Sequence, residues 1–155
     1  MARSLDDATR DFGAAMAELV KKYQFRDRNE TVAYGVSVSG AYALRALDQH
    51  GPLTMGALAA ELHVTVSTAS RVVDQLVGQG LVRRRQDADD RRVWRVEPSA
   101  AGRRIWSRIA AELHAIDREI LASLSPSERE AVLRAVRALG EATERWRAAK
   151  RAEGA

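Results

Sequence analysis

Eight arginines fall between positions 81 and 104, at 83, 84, 85, 91, 92, 95, 103 and 104, against four acids, Asp87, Asp89, Asp90 and Glu97. The surplus of four matches the net charge of the whole 155-residue chain, +4. Cations gathered on one short stretch suit a polyanionic partner, and a solvated surface is the bland alternative. Just upstream, VSTASRVVDQLV (66–77) repeats its apolar residues at helical spacing. On a helical wheel Ala69, Val72, Val73 and Leu76 gather on one side. Ser67, Arg71 and Asp74 gather on the other, flanked by Thr68, Ser70 and Gln75. Small hydroxyls reach phosphates and bases without bulk, and an Arg can take guanine O6 and N7 bidentately.

A carboxylate facing phosphates needs a cation beside it. Arg91 and Arg92 return on the hairpin that follows, so Asp74 is expected to pair with one of them, Arg92 first, and to latch hairpin to helix. In the tip RRRQDADDRR (83–92), Asp87 and Asp90 are expected to accept backbone N–H bonds and to orient the arginines. An Arg at such a tip extends into a minor groove, where narrow A·T tracts concentrate negative potential. The candidate DNA contacts are therefore Thr65, Ser67, Thr68, Ser70, Arg71 and Gln75 on the helix and Arg85, Arg91 and Arg92 on the hairpin.

The elements that must position these residues follow from capping and periodicity. Thr54 caps a short helix over 55–62, His63-Val64 makes a turn, and Thr65 caps the next helix to about 77, ended by Gly78 and Gly80. Strands over 81–86 and 92–97 flank the tip. On the second, Trp94 and Val96 share a face expected to be buried, with Val93 and Arg95 outward. Upstream, an apolar stripe predicts a helix over 5–24, FRDRNET (25–31) reads as a polar connector, and a helix over 37–49 stops at His50-Gly51-Pro52. The stretch 33–40 leaves the start of that helix open. Downstream, Ser99 caps a helix to 124, and Ser125-Pro126-Ser127-Glu128 is a capping box opening a last helix to 150, with 151–155 expected to fray. The order is α-α-α-α-β-β-α-α. The long helices over 5–24 and 99–150 carry more apolar face than one chain needs, which points to a symmetric dimer rather than intrachain packing alone.

The length fits one domain, 1–155, with a lobe at about 37–97 between the long helices. With 46% apolar and 30% charged residues the chain reads as globular. No run reaches the ~18–20 apolar residues of a membrane span, and MARSLDDATRDFG lacks the apolar core of a secretory signal, so a cytoplasmic protein is expected. There is no Cys, which removes disulfides, thiolate metal sites and thiol redox sensing. His50, His63 and His114 stand apart, so no metal is expected, and no cofactor motif is present. Ser67, Ser70 and His63 lack a third orienting group, and no P-loop, nucleophile elbow or HExxH is found, so an enzyme is not expected.

In order and without gaps, the sequence resembles the MarR family of winged helix-turn-helix regulators. The resemblance is carried by Gly51-Pro52-Leu53-Thr54, by Leu58, Ala59 and Leu62, by the run Ser67 to Leu76, by Gly80-Leu81-Val82, by Asp87, Asp90 and Arg92, and by Ser99 with Gly102. It is close over about 44–105. It implies a mainly α, α+β winged-helix fold and an obligate homodimer whose two reading helices enter successive major grooves of a pseudo-palindromic operator. It also implies a repressor modulated by a small aromatic or anionic effector bound between the DNA-binding lobe and the dimer helices. Tyr23, Tyr34, Tyr42 and Trp106 are the candidate pocket residues. His63 stands where the family usually has Gly, and Val66 where it commonly has a polar or basic residue; on the wheel Val66 leans toward the core. A second reading keeps the fold and makes it a protein–protein assembly module without specific DNA binding.

Overall fold

Where polarity suggests a break after residue 24, the first helix continues. The computed structural model describes residues 4–87 and 89–153, which leaves the first three residues, Ala88 of the hairpin tip and the last two residues outside. Within it, α1 spans Leu5–Ala33. FRDRNET contains neither Gly nor Pro, and its charged residues are adequate helix formers, so polarity alone does not end the helix. The stop comes at Gly35, whose φ of +68° suits a residue without Cβ. Ser37 then caps α2 (Val38–His50), its hydroxyl accepting from the Gly40 N–H at 3.1 Å.

The chain continues as β1 (Leu53–Thr54), α3 (Met55–Glu61), α4 (Val66–Gly78), β2 (Val82–Gln86), β3 (Trp94–Pro98), α5 (Ala100–Ala122) and α6 (Pro126–Glu153). The three strands form one antiparallel sheet in the order β1-β3-β2, with Leu53 opposite Val96 and Arg84 opposite Val96 on the other side. β1 has only two residues, too few for an alternating pattern to reveal, and adds a strand to the expected order. The last helix runs past the expected frayed start to Glu153.

Two units are distinguished, Met1–Leu113 and His114–Ala155. The first holds the core: Leu44 and Leu47 of α2, Leu58 of α3, Val73 and Leu76 of α4, Val82 and Val96 of the sheet and Ile109 of α5 are buried together. Ser99 joins β3 to α5. Its hydroxyl accepts from the Gly102 N–H at 3.0 Å and donates to the Gly80 carbonyl at 2.7 Å. In the second unit the expected capping box forms, with the Glu128 carboxylate accepting from the Ser125 N–H at 2.8 Å. There Val136 and Trp146 of α6 are each 61% exposed.

The sheet corrects one expectation. Val96 is buried but Trp94 is 51% exposed. Both face the same way, yet β1 backs only residues 95 and 96, so Trp94 opposite Gln86 lies beyond the helices that would cover it. Arg95 does not point freely outward either, because its guanidinium folds onto Asp87.

Candidate nucleic-acid interface

The geometry of α4 begins in the turn before it. His63 has φ +54°, the left-handed conformation that a tight helix-turn-helix link requires and that a non-β-branched residue tolerates at modest cost. Thr65 then caps α4, accepting from the Thr68 N–H at 3.3 Å. Ala69, Val73 and Leu76 are buried. Ser67, Thr68, Arg71, Asp74 and Gln75 are exposed, and Ser70 is half-buried. Val66, placed on the core side by the wheel, is 53% exposed, because it is the first residue of the helix and lies beyond the last core contact.

The hairpin is tied to this helix through Arg84, not Arg92. The Arg84 Nη2 donates to Asp74 Oδ1 at 2.7 Å. β2 leaves α4 after a three-residue connection and runs back along it, which sets Arg84 beside Asp74. Arg92 sits at the far end of the hairpin, where its own N–H and Nε donate to Asp90 Oδ1 at 2.9 and 3.2 Å. The signal for Arg84 was in the strand period: with Val82 in the core, Arg84 shares its face and must meet α4.

The rest of the hairpin sorts its charges in the same way. Glu97 is buried and accepts from Arg83 Nε at 2.6 Å, with Arg85 Nε 4.0 Å away, so Arg85 is partly engaged at home. At the tip, Asp87 Oδ1 accepts from the N–H groups of Asp89 at 3.0 Å and Asp90 at 3.3 Å, while Asp87 Oδ2 takes the Arg95 guanidinium. The Arg95 contact first, then the two backbone N–H groups, hold the Asp87 carboxyl down at about 2. Asp90 is lowered too, by its side-chain and backbone bonds from Arg92. Both stay ionised at physiological pH and keep the turn closed. Arg71 and Arg91 have no ion-pair or hydrogen-bond partner through their guanidinium groups among the described residues.

The four aromatic candidates for an effector pocket are not brought together. The Tyr34 hydroxyl bonds Glu112, Trp106 Nε1 donates to Asp48 at 3.1 Å, and the Tyr23 ring carries the Arg26 guanidinium 4.3 Å above its centroid. Tyr42 alone of the four lines a cavity of about 380 Å³ between α2 and the turn leading into α4. Arg45 and Gln49 of α2, His63 and Val64 of the turn, and Thr68 and Val72 of α4 also line it. Burial first, and then its 2.9 Å bond to Asp27, raise the Tyr42 phenol above its ordinary value. The cavity was illegible in the sequence because α2 and α4 meet there only through the fold. Among the described residues, no three His, Asp or Glu are grouped to hold a metal ion. None of their helices is long and apolar enough to cross a membrane.

A model of the MarR family matches residues 41–94, from within α2 to the first residue of β3, and so contains α3, α4 and β2. Over 118 residues the chain is 26% identical to an uncharacterized HTH-type transcriptional regulator of Bacillus subtilis (strain 168), covering 76% of this chain and 74% of that protein. A MarR-family transcriptional regulator from Silicibacter pomeroyi is 29% identical, with a TM-score of 0.70 over 88% of this chain and 94% of that one. A MarR family protein from Bacillus stearothermophilus has the same fold, with a TM-score of 0.82 over 92% of this chain and 99% of that one at 22% identity.

Proposed function

We propose that the chain is a DNA-binding transcriptional regulator of the MarR family rather than an enzyme, a homodimeric, sequence-specific repressor released by a small effector; the family match over 41–94 and the similarity to HTH-type and MarR-family regulators support this. The observation that carries the DNA reading is the arrangement around Asp74. Its bond to Arg84 neutralises the one carboxylate on the exposed strip of α4 and fixes the arginine hairpin beside that helix, while Arg71 has no ion-pair partner among the described residues. Arg71 then reads a base edge, and Arg91 and Arg92 at the tip follow the flanking backbone or minor groove. Thr65, Ser67, Thr68, Ser70 and Gln75 complete the contact strip, with Arg85 as a backbone contact weakened by Glu97.

The dimer is supported by apolar faces on the long helices, Phe12, Leu19 and Val20 on α1 and Val132, Val136 and Trp146 on α6, all exposed in the single chain. Two-fold symmetry then sets half-sites about one helical turn, ~10–11 bp, apart. Footprinting on a duplex selected from a random pool should show two protected half-sites at that spacing, and sedimentation should give a dimer. A single protected half-site bound by a monomer would refute the homodimer.

For the effector, the cavity beside the turn supplies a cation, Arg45, with no ion-pair partner among the described residues, next to the Tyr42 ring and the apolar Leu62, Val64 and Val72, while the acid of its lining, Glu61, lies 3.3 Å from His50. That lining suits a small aromatic acid. A ligand seated there would press on the His63 turn and hence on the angle of α4. Arg45→Ala should weaken release by an aromatic carboxylate by about 1.5–3 kcal/mol, the value of a charge-assisted bond. Unchanged release in a gel-shift titration would place the effector elsewhere.

A further inference from the structure

The first turn of α4 differs chemically from the rest of the reading strip. Between Val64 and Ser70 no side chain carries a charge or an amide. Its hydroxyls are turned on one another: Thr65 Oγ1 lies 3.0 Å from Ser67 Oγ and 2.9 Å from Thr68 Oγ1, and it caps the Thr68 N–H. Beside these hydroxyls, this turn also offers carbon outward. Val66 is 53% exposed and Val64 39%. Because a helical Cα–Cβ bond tilts toward the N-terminal end, the Val66 methyls project ahead of the helix rather than back into the core.

In a helix-turn-helix it is the leading residues of the second helix that meet base edges. Every polar pattern on those edges calls for a donor or an acceptor, and an isopropyl group offers neither. The one apolar feature in the major groove is the C5 methyl of thymine. Resting on the DNA-binding reading above, we infer that Val66 is a specificity-determining residue that selects thymine in each half-site by packing against its methyl group. Arg71 and Val66 then divide the work: a polar contact for one base and an apolar one for another. The valine discriminates thymine from cytosine by contact on one side and by an unmatched exocyclic amine on the other.

The test uses the full chain and an operator selected from random duplexes. Each thymine of the half-sites is replaced singly by deoxyuridine, which removes the methyl and keeps the pairing. At one thymine per half-site the wild type should lose about fourfold in affinity, the value of one buried methyl-sized group. Val66→Ala should bind the thymine and deoxyuridine duplexes equally. The inference is overturned if no thymine is methyl-sensitive in the wild type, or if the same sensitivity survives in Val66→Ala. Failure to bind any duplex would overturn the DNA-binding reading, and this inference with it; methyl-insensitive but sequence-specific binding would overturn the inference alone.

Discussion

Gly102→Ala should lower the stability of the full chain by about 3 kcal/mol, the upper end of what an added methyl costs in a packed interior. A Cβ built on Gly102 falls 2.0 Å from the carbonyl oxygen of Leu81 and 3.0 Å from its carbon. These are backbone atoms, and they are held. The Leu81 carbonyl accepts from the Ser99 N–H at 2.9 Å, and Ser99 is itself tied to Gly80 and to Gly102. No side-chain rotation can open the space, so α5 must back away from the start of β2 and disturb the contact of Leu44 and Ile109 with the sheet. For a chain of this length the loss corresponds to roughly 6–12 °C in the unfolding midpoint. Gly140→Ala is the matched control. It lies in α6 with nothing within 4 Å of the added Cβ, so it should be neutral or slightly stabilising. Equal midpoints for the two variants would contradict the packing described here.

Arg71→Ala should cost about 1–3 kcal/mol of operator affinity and relax the preference at one base pair per half-site, because a bidentate Arg–guanine contact is lost. Stability should barely move, since Arg71 is exposed and makes no ion pair among the described residues. That separation of effects distinguishes a base reader from a structural residue. The neighbouring pair behaves differently. Asp74 and Arg84 are exposed enough that their bond adds little to stability, but on the proposed DNA reading breaking it should free a carboxylate at the binding face and untie the hairpin.

The parts of this molecule that local chemistry decides were legible in the sequence. Thr54, Thr65, Ser99 and the Ser125–Glu128 box each mark a helix start that the structure has, and Asp87 and Asp90 accept the backbone N–H groups expected of a turn. The inward face of α4 follows from its period. What sequence could not settle depends on where elements end relative to one another. α1 continues through residues 25–33 because charged residues continue a helix as readily as apolar ones when neither Gly nor Pro intervenes. Trp94 shares the face of Val96 but lies where the sheet has outrun its cover. Val66 sits on the core side of the wheel yet is exposed, because a wheel has no ends. Arg91 and Arg92 sit at the far end of the hairpin from Asp74, while the strand period places Arg84 next to it. Of the four aromatic candidates, Tyr42 lines a cavity with Arg45 and the His63 turn, residues that only the fold brings together.

In the proposed function, α4 and the arginine hairpin bind a duplex together, one by sequence and the other by charge. The most direct measurement is the affinity of the wild type and of Arg71→Ala for a selected operator between roughly 50 and 200 mM salt. Contact with ~6–10 phosphates should give a log–log slope near −0.9 per phosphate, a loss of about 10³–10⁵ in affinity across that range. Arg71→Ala should follow a parallel line displaced to weaker binding, because it loses a base contact and no phosphate. A flat line, or equal affinity for the operator and a scrambled duplex, would contradict the account and favour a winged helix that assembles with protein instead.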